Sequence, residues 1–578
     1  MASVYTYRYL KKILSEERGQ RLVKQIKEAY SELFEGKPIE RPTYADFMNI
    51  FEKNGDTAVC DRIDTLRKRR FFCLQILALD DDRYLGEMEE MLAEFCAQYA
   101  WFSSYHHRDD VNQTFDYEQI DLDTAYMSMM VSLTYGVMKD KLRNDIKIRI
   151  RREILRRVIL PFENNPTYFG LSGKNLSNWV ATQLMGTGYA YLYVFPERLP
   201  AAREKLFASM DAYLCGFAED GYCSEGYGYW HAGFGSLAMF LDAFREETGE
   251  DITWITNRPK VQSCLAFGSG AVLRGGIGLP FADHQDSHIP PTTNNLSHVV
   301  LKRAFGDGAR LYDAYDGKVF FVRDQEGTLV PNGIGRSDSG YHRVLALETF
   351  AEGGEGGVVK NGTVIFPIGG AFIANRARYS FVAKAGNNDE NHNHNDVGTF
   401  AFFVDGKRIF PDVRSHKYDA IYFDDRYRYT EQVFAAGSMG HSVPIVDGGY
   451  QAYGVNYKGA ITDSAENLFE VNLSGAYDTD VTSLKVRYEL LEDRVKIRYT
   501  MDEPDAHTLK LRFIAGYEPR EIDGGFEVGG VQIVSTTGLS GVANRVDYLG
   551  HHVDVTAYTL DFDAGSVTCG TFDFEIRL

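Results

Sequence analysis

The sequence predicts an α+β multidomain chain, an N-terminal (α/α) toroid followed by a C-terminal antiparallel β-sandwich. Its 578 residues exceed one ordinary domain. Up to about residue 345, apolar residues recur at helical spacing with charges between them. Beyond that, the runs become short, alternating and punctuated by turn residues, as antiparallel strands require. The expected domains are therefore 1–345 and 346–578.

The helices follow in order. "YLKKILSEERGQRLVKQIKEAYSELF" keeps a 3.6-residue apolar rhythm. "IDLDTAYMSMMVSLTYGVMKD" opens on acidic residues and presents Ile120, Leu122, Met129, Met130, Leu133 and Val137 as a buried stripe. "LRNDIKIRIRREILRRVILPF" is expected to stop at Pro161. "NWVATQLMGTGYAYLYVF", "AAREKLFASMDAYLCGF", "GSLAMFLDAFREETG" and "NNLSHVVLKRAFG" continue the series without a strand signal. Such helices pair as hairpins and curl into an array or toroid. "AEGGEGGVVKNG" breaks the pattern. Strand-like runs such as "GTFAFFVDGKRIF", "SLKVRYELLEDRVKIRYT" and "HTLKLRFIAGY" then alternate with the turns "VDGK", "LEDR" and "IDGG".

The composition, 44% hydrophobic and 25% charged, is that of a soluble globular protein. A net charge of −19 argues against nucleic-acid binding, which needs a basic footprint. It also disfavours long polyanions unless a basic cleft lies within the acidic surface. The start, "MASVYTYRYLKKILSEERGQ", lacks the apolar core of a signal peptide, and no apolar run approaches the ~18 residues of a membrane span. Seven scattered cysteines show no C-x-x-C pair and read as reduced thiols. The expectation is a cytoplasmic protein with no membrane or nucleic-acid partner; homo-oligomerisation is left open.

Three stretches are dense in chemistry. "NHNHNDVGTF" places His392 and His394 one residue apart at the mouth of an apolar strand. On a strand they point to one face; in a turn they diverge. Asp412 in "RIFPDVRSH" and His441 in "SMGHSVPIVDG" lie downstream, and two histidines with one aspartate suit Zn²⁺ if three segments converge. Otherwise these are polar loop histidines bonded to backbone. In "GKNLSNWV", Asn178 and Trp179 open a helix whose N-terminus favours a carboxylate, unless Ser177 or Asn178 is a plain N-cap. "EDGYCSEGYGYWHAGFG" sets Tyr222, Tyr227, Tyr229, Trp230 and His231 among glycines, which reads as a ligand surface because glycine adds no packing.

Together these stretches resemble the heparinase II/III-like polysaccharide lyases. The resemblance is carried by "IDLDTA", "NWVATQLMGTG", "DGYCSEGYGYWH", "NHNHNDVGTFAFFVDGKRIFPD" and "GHSVPIVDGGYQAYG", and covers most of the chain past about residue 115. It implies a helical toroid joined to an antiparallel sandwich, and cleavage of uronate-containing oligo- or polysaccharides. It gives Asn178 to the uronate carboxylate and Tyr229 to proton transfer. His392 would hold the carboxylate or assist the proton transfer. His394, Asp412 and His441 would hold a structural zinc. Trp179, Tyr227, Trp230, His231 and Arg428 are the further substrate-binding candidates. Several relatives carry a histidine where this chain has Trp179, which puts cleavage at the epimeric uronates in doubt.

The chemistry explains the residue types. A lyase removes the weakly acidic C5 proton of a uronate, so the carboxylate must be neutralised as charge moves onto it. A tyrosine base, with an ordinary pKa of ~10, needs a cationic neighbour. His231, Arg426 and Arg428 are the candidates, with no choice among them from sequence. A glycoside hydrolase using Asp220 and Glu225 is one alternative. A non-catalytic uronate-oligosaccharide-binding protein is another.

Overall fold

The computed structural model describes residues 3–47, 58–102, 120–165, 176–283, 296–306, 321–323, 329–331, 338–350, 359–419, 421–550 and 554–578. Lys174 and the glycines of "AEGGEGG" lie outside them. As the sequence predicts, a helix-rich N-terminal region is followed by antiparallel sheets. The chain separates into two compact units: Met1–Gly216, His231–Val261 and Pro291–Gly357 form the first, and Phe217–Trp230, Gln262–Pro290 and Val358–Leu578 the second. Two segments from before residue 345 thus belong with the sheets.

In the first unit, helices pack in pairs. Helix Glu17–Leu33 packs on Ala58–Asp80, Leu122–Met138 on Asn178–Tyr189, and Asn178–Tyr189 on Leu199–Cys215. The series returns on itself, because the last helix, Gly340–Thr349, packs on the first, Tyr7–Ser15. Polar ties hold this closure. Tyr9 donates to Glu348, Arg18 donates to the Leu347 and Phe350 carbonyls, and the buried Gln75 carboxamide accepts from Gly340 N. Ring closure of paired helices is the feature that the sequence periodicity predicted as a toroid.

Two details differ from expectation. Helix Leu122–Met138 is buried on nearly every side rather than along one stripe, with Leu122 half-buried. Small residues let the partner helix approach: a Cβ on Gly186 would lie 2.4 Å from the Ala125 carbonyl oxygen, and Ser128 donates to the Gly186 carbonyl. The arginine-rich helix does not stop at Pro161. It passes through a π turn at Leu155–Ile159 into Leu160–Asn164, where proline occupies the first turn and its missing N–H goes unnoticed. Short strand pairs that carry no sequence signal also occur, at Val272–Leu273 with Ile277–Gly278 and at Phe321–Arg323 with Leu329–Pro331. Among the described residues no helix is long and apolar enough to cross a membrane.

The second unit packs a five-stranded antiparallel sheet and an eleven-stranded one around a shared core. Strand Leu484–Leu490 alternates buried and half-buried residues, as a strand with one core face must. Phe372, Phe381 and Phe400 from the small sheet meet Tyr488, Phe513 and Phe469 from the large one. The stretch of interest joins the sheets. Strand Tyr379–Lys384 belongs to the small sheet, Gly386–Asn388 pairs into the large one, and after "NHNHND" the chain re-enters the small sheet as Phe400–Val404. Gly398 makes the return turn at φ 86°, where a Cβ would lie 2.2 Å from Leu473 Cδ2. We predict that Gly398→Ala destabilises the chain by about 2–4 kcal/mol, from left-handed strain plus overpacking. A lowered midpoint of urea unfolding checks this; an unchanged midpoint contradicts it.

Candidate active and metal site

The carboxamides of "NHNHND" satisfy backbone. Gln451 clasps Val397 through both amide groups, accepting from Val397 N at 3.0 Å and donating to Val397 O at 2.7 Å. Asn395 donates to the Gln451 carbonyl, Asn393 donates to Asn395, and Asn388 donates to Gln451 Oε1 and the Ala452 carbonyl. So anchored, the loop is a turn rather than a strand, and His392 sits at φ 55°, unusual for a residue with a Cβ. The two histidines therefore diverge.

They diverge from one carboxylate. Asp283, fully buried, accepts from His392 Nδ1 at 2.7 Å on Oδ2 and from His394 Nε2 at 3.1 Å on Oδ1. Tyr418 OH donates to the same Oδ2 at 3.0 Å, Tyr422 OH also donates to it, and Arg428 lies 3.8 Å away. Burial alone raises a carboxyl pKa. The hydrogen bonds from His392 and His394 outweigh it and hold Asp283 well below the ordinary range, as an anion.

On the His392 side, Tyr229 stacks on the imidazole with ring centroids 4.0 Å apart. Its hydroxyl lies 2.7 Å from that of Tyr418. Since Tyr418 donates to Asp283, Tyr229 donates to Tyr418. Glu225, buried, brings a carboxylate oxygen within 3.7 Å of His392 Nε2. All of these residues belong to the second unit.

On the other side, His394, Asp412 and His441 converge with their ligand atoms within 4.8 Å of one another, all buried. His394 donates its Nε2–H to Asp283, and Nδ1, the nitrogen left over for a ligand role, turns into the cluster. That Nδ1 and Asp412 Oδ2 are buried without a hydrogen-bond partner. His441 Nε2, 3.0 Å from the Ala435 carbonyl, can only donate to it, which leaves Nδ1 facing Asp412 Oδ1 at 2.7 Å. A lone pair and a carboxylate at that distance need a proton or a cation between them. Burial pulls the His441 pKa down, but Asp412 outweighs it and raises it. Two orphaned buried acceptors, His394 Nδ1 and Asp412 Oδ2, beside the His441 Nδ1–Asp412 Oδ1 contact fit a metal ion.

Other candidates fall elsewhere. Tyr227 and Trp230, expected to contact substrate, are wholly buried, and Trp230 Nε1 donates to the Cys264 carbonyl. Gly268 and Gly278, from another segment, leave room for these rings, which approach within 1.9 Å and 2.7 Å of the position of an added Cβ. His231 is no cation, since burial lowers its pKa to about 4; its ring packs edge-on to His298 within the first unit. Arg426 is exposed and paired with Asp424. Arg428 stacks 4.3 Å over Tyr422 and donates to Tyr422 OH and the Asn393 carbonyl, so it braces the cluster from within. The expected depression of the tyrosine pKa does not occur: burial and then Asp283 raise Tyr229, and the Tyr418 hydrogen bond and Arg428 oppose them only in part. In the first unit, Ser177 caps helix Asn178–Tyr189 by accepting from Trp179 N. Asn178 is buried at the first helical position and Trp179 is half-buried. The hydrolase alternative loses its acid pair, because both oxygens of Asp220 accept backbone N–H groups, from Tyr222, Ile368 and Gly369.

Sequence reasoning missed Asp283, Tyr418 and Tyr422. Asp283 follows "GLPFA" with no spacing signature, and the tyrosines sit in "KYDAIYFDDRYRY", where five aromatic side chains look alike.

No family model and no curated protein matches the sequence. The fold is that of known lyases. A crystal structure of heparinase III aligns with TM-score 0.60 and 12% identity, over 96% of this chain and 91% of that one. A heparan sulfate lyase from Pedobacter heparinus aligns with TM-score 0.56 and 12% identity, over 98% and 88%. Chondroitin AC lyase from Streptomyces coelicolor A3, solved with chondroitin sulphate, gives 0.56 and 12%, over 99% and 82%.

The loop also carries a titratable knot. Lys384 Nζ lies 2.7 Å from Asp396 and 3.3 Å from Glu390, all nearly solvent-free. Burial pushes the Glu390 carboxyl up to about 7, Lys384 opposing and Asp396 adding. The unfolded value is ~4.3. With the folded pKa raised, the stability Glu390 contributes is complete below the unfolded value and is lost as pH rises through the folded one. Glu390→Gln, which cannot ionise, is expected to flatten the unfolding midpoint between about pH 4.5 and 7 and to gain on wild type above it. Parallel pH profiles for the two proteins contradict this.

Proposed function

We propose that this chain is a carbon–oxygen lyase that cleaves uronate-containing oligo- or polysaccharides by β-elimination. One observation carries the reading: Tyr229, His392 and Tyr418 converge on a buried carboxylate in a chain with the fold of heparinase III and chondroitin AC lyase. Tyr229 takes the C5 proton while its own passes to the Tyr418 hydroxyl and the Tyr418 proton passes to Asp283 Oδ2, the relay running back once Tyr229 has protonated O4. The C5–H bond breaks, a C4–C5 double bond forms, and the bond to O4 breaks. The same phenol then returns the proton to O4. Burial keeps Tyr229 protonated at rest, which suits the acid half of this cycle and makes the relay necessary for the base half. His392, a quarter exposed and fixed by Asp283 and Tyr229, donates Nε2–H to the substrate carboxylate when its ring carries both protons, Nδ1–H being already given to Asp283. The role that the resemblance implies for Asn178 is a separate proposal, tested by Asn178→Ala.

In glucuronate and mannuronate the C5 hydrogen and the O4 bond lie on one side of the ring, so one group serves as base and then acid. Iduronate and guluronate need a second base across the ring. Trp179 stands where several lyases of the resembling family carry that histidine, and an indole N–H has no basic lone pair. We therefore assign the activity to D-glucuronate or D-mannuronate linkages, glucuronate-containing glycosaminoglycans foremost. The assay is ultraviolet absorbance of the unsaturated product, on heparan or chondroitin chains against iduronate-rich heparin or dermatan, and on polymannuronate against polyguluronate. Tyr229→Phe is expected to lower kcat by ~10²-fold or more with substrate binding kept. Retention of most activity removes Tyr229 from the mechanism, and faster cleavage of the epimeric chains removes the one-face scheme.

For the metal we propose zinc in a structural role, since two imidazoles and a carboxylate are its ordinary donors. It would be held by His394 Nδ1, His441 Nδ1 and Asp412, locking three segments of the sandwich. Elemental analysis of protein purified without added metal is expected to find about one zinc per chain, lost in His441→Ala. A zinc-free wild type, or a variant that keeps its zinc, contradicts the assignment.

A further inference from the structure

The second ring nitrogens of the two metal-facing histidines end differently. His441 gives its Nε2–H to the Ala435 carbonyl, a backbone group. His394 gives its own to Asp283 Oδ1, and the other oxygen of that carboxylate carries His392, Tyr418 and Tyr422. A planar carboxylate and a planar imidazole are both rigid. A displacement of His394 Nδ1 is therefore delivered through Nε2 to Asp283, and from there to three side chains of the reacting cluster. Asp283 is fully buried, and the tight packing of Tyr418 on Tyr422, with ring centroids 4.8 Å apart, leaves the carboxylate little room to move alone.

We propose that Asp283 is a positioning residue, through which occupancy of the His394–Asp412–His441 site sets the placement of His392 and Tyr418. The coupling is reciprocal, as any thermodynamic linkage between two sites must be: a change at Asp283 alters the hold on the metal. Hydrogen-bond partners of ligating histidines orient the ring and raise its basicity, and their loss costs ~10–100-fold in metal affinity or activity. The kinetic arm of the test rests on the lyase reading; the metal arm does not.

The test uses the full chain and Zn²⁺. Zinc affinity is measured by chelator competition in wild type and in Asp283→Asn, which keeps the shape of the side chain but cannot accept from both histidines. The expected result is a ~10–100-fold weaker hold on zinc in the variant. With zinc saturating, kcat on a uronate oligosaccharide falls while KM stays within about threefold of wild type. Zinc affinity unchanged within about threefold overturns the proposal, as does a wild type that binds no zinc. A wild type that holds zinc but is inert on every uronate chain ends the lyase reading and leaves the zinc comparison decisive. Should Asp283→Asn fail to fold, Tyr422→Phe removes one donor only. The visible absorption of its cobalt(II)-loaded form is expected to differ from that of cobalt(II)-loaded wild type, and an identical spectrum overturns the proposal.

Discussion

The site depends on one buried anion. An ionised carboxylate in a protein interior is stable only when its lost hydration is replaced by donors. Asp283 receives His394, His392, Tyr418 and Tyr422 from two segments more than a hundred residues away in sequence. Each of those side chains is oriented by the bond it makes. The ring face that His392 turns to Tyr229, the nitrogen that His394 leaves for a metal and the direction of the Tyr229–Tyr418 hydrogen bond all follow from where that charge sits.

Holding His392 at φ 55° costs of order 1–3 kcal/mol, and such strain persists only where the surroundings over-determine it. Here they do. Gln451 grips Val397 by both amide groups, Asn393 and Asn395 tie the turn to its neighbours, and Lys384 is clamped between Asp396 and Glu390 at its base. Asn393 and Asn395 of "NHNHND" brace the turn that holds the histidines apart.

Periodicity made the helical ring and the sandwich legible, because both are repetitive and period is what a sequence displays directly. The convergence of His394, Asp412 and His441 was legible only through the family resemblance, because spacing alone requires three distant segments to meet and acidic residues are common in this chain. Asp283 was not, because a lone aspartate after an apolar run reads as any loop residue, and its importance comes from partners distant in sequence. The error over Tyr227 and Trp230 has a similar origin. Glycines beside an aromatic residue add no packing locally, but glycines elsewhere in the chain made the hollows these rings fill, as Gly268 does for Trp230. Tertiary complementarity of that kind has no local signal.

The supply of free charge also bears on the type of reaction. Hydrolysis of a glycosidic bond by the usual route needs two carboxyl groups at a set separation, one to protonate the leaving oxygen and one to activate water or attack carbon. Asp220 is committed to three backbone N–H groups, and Asp283 is sealed behind two histidines and two tyrosines. Glu225 is buried and faces an imidazole rather than a second acid. What the cluster offers instead is a phenol joined to a second phenol, stacked on a histidine. An elimination asks for that set: one group that takes a proton and gives it back, a path for the proton it must first release, and a donor for a carboxylate, with no activated water. The negative charge of Asp283 works against forming a phenolate on Tyr229, so the proposed elimination depends on a relay through Tyr418.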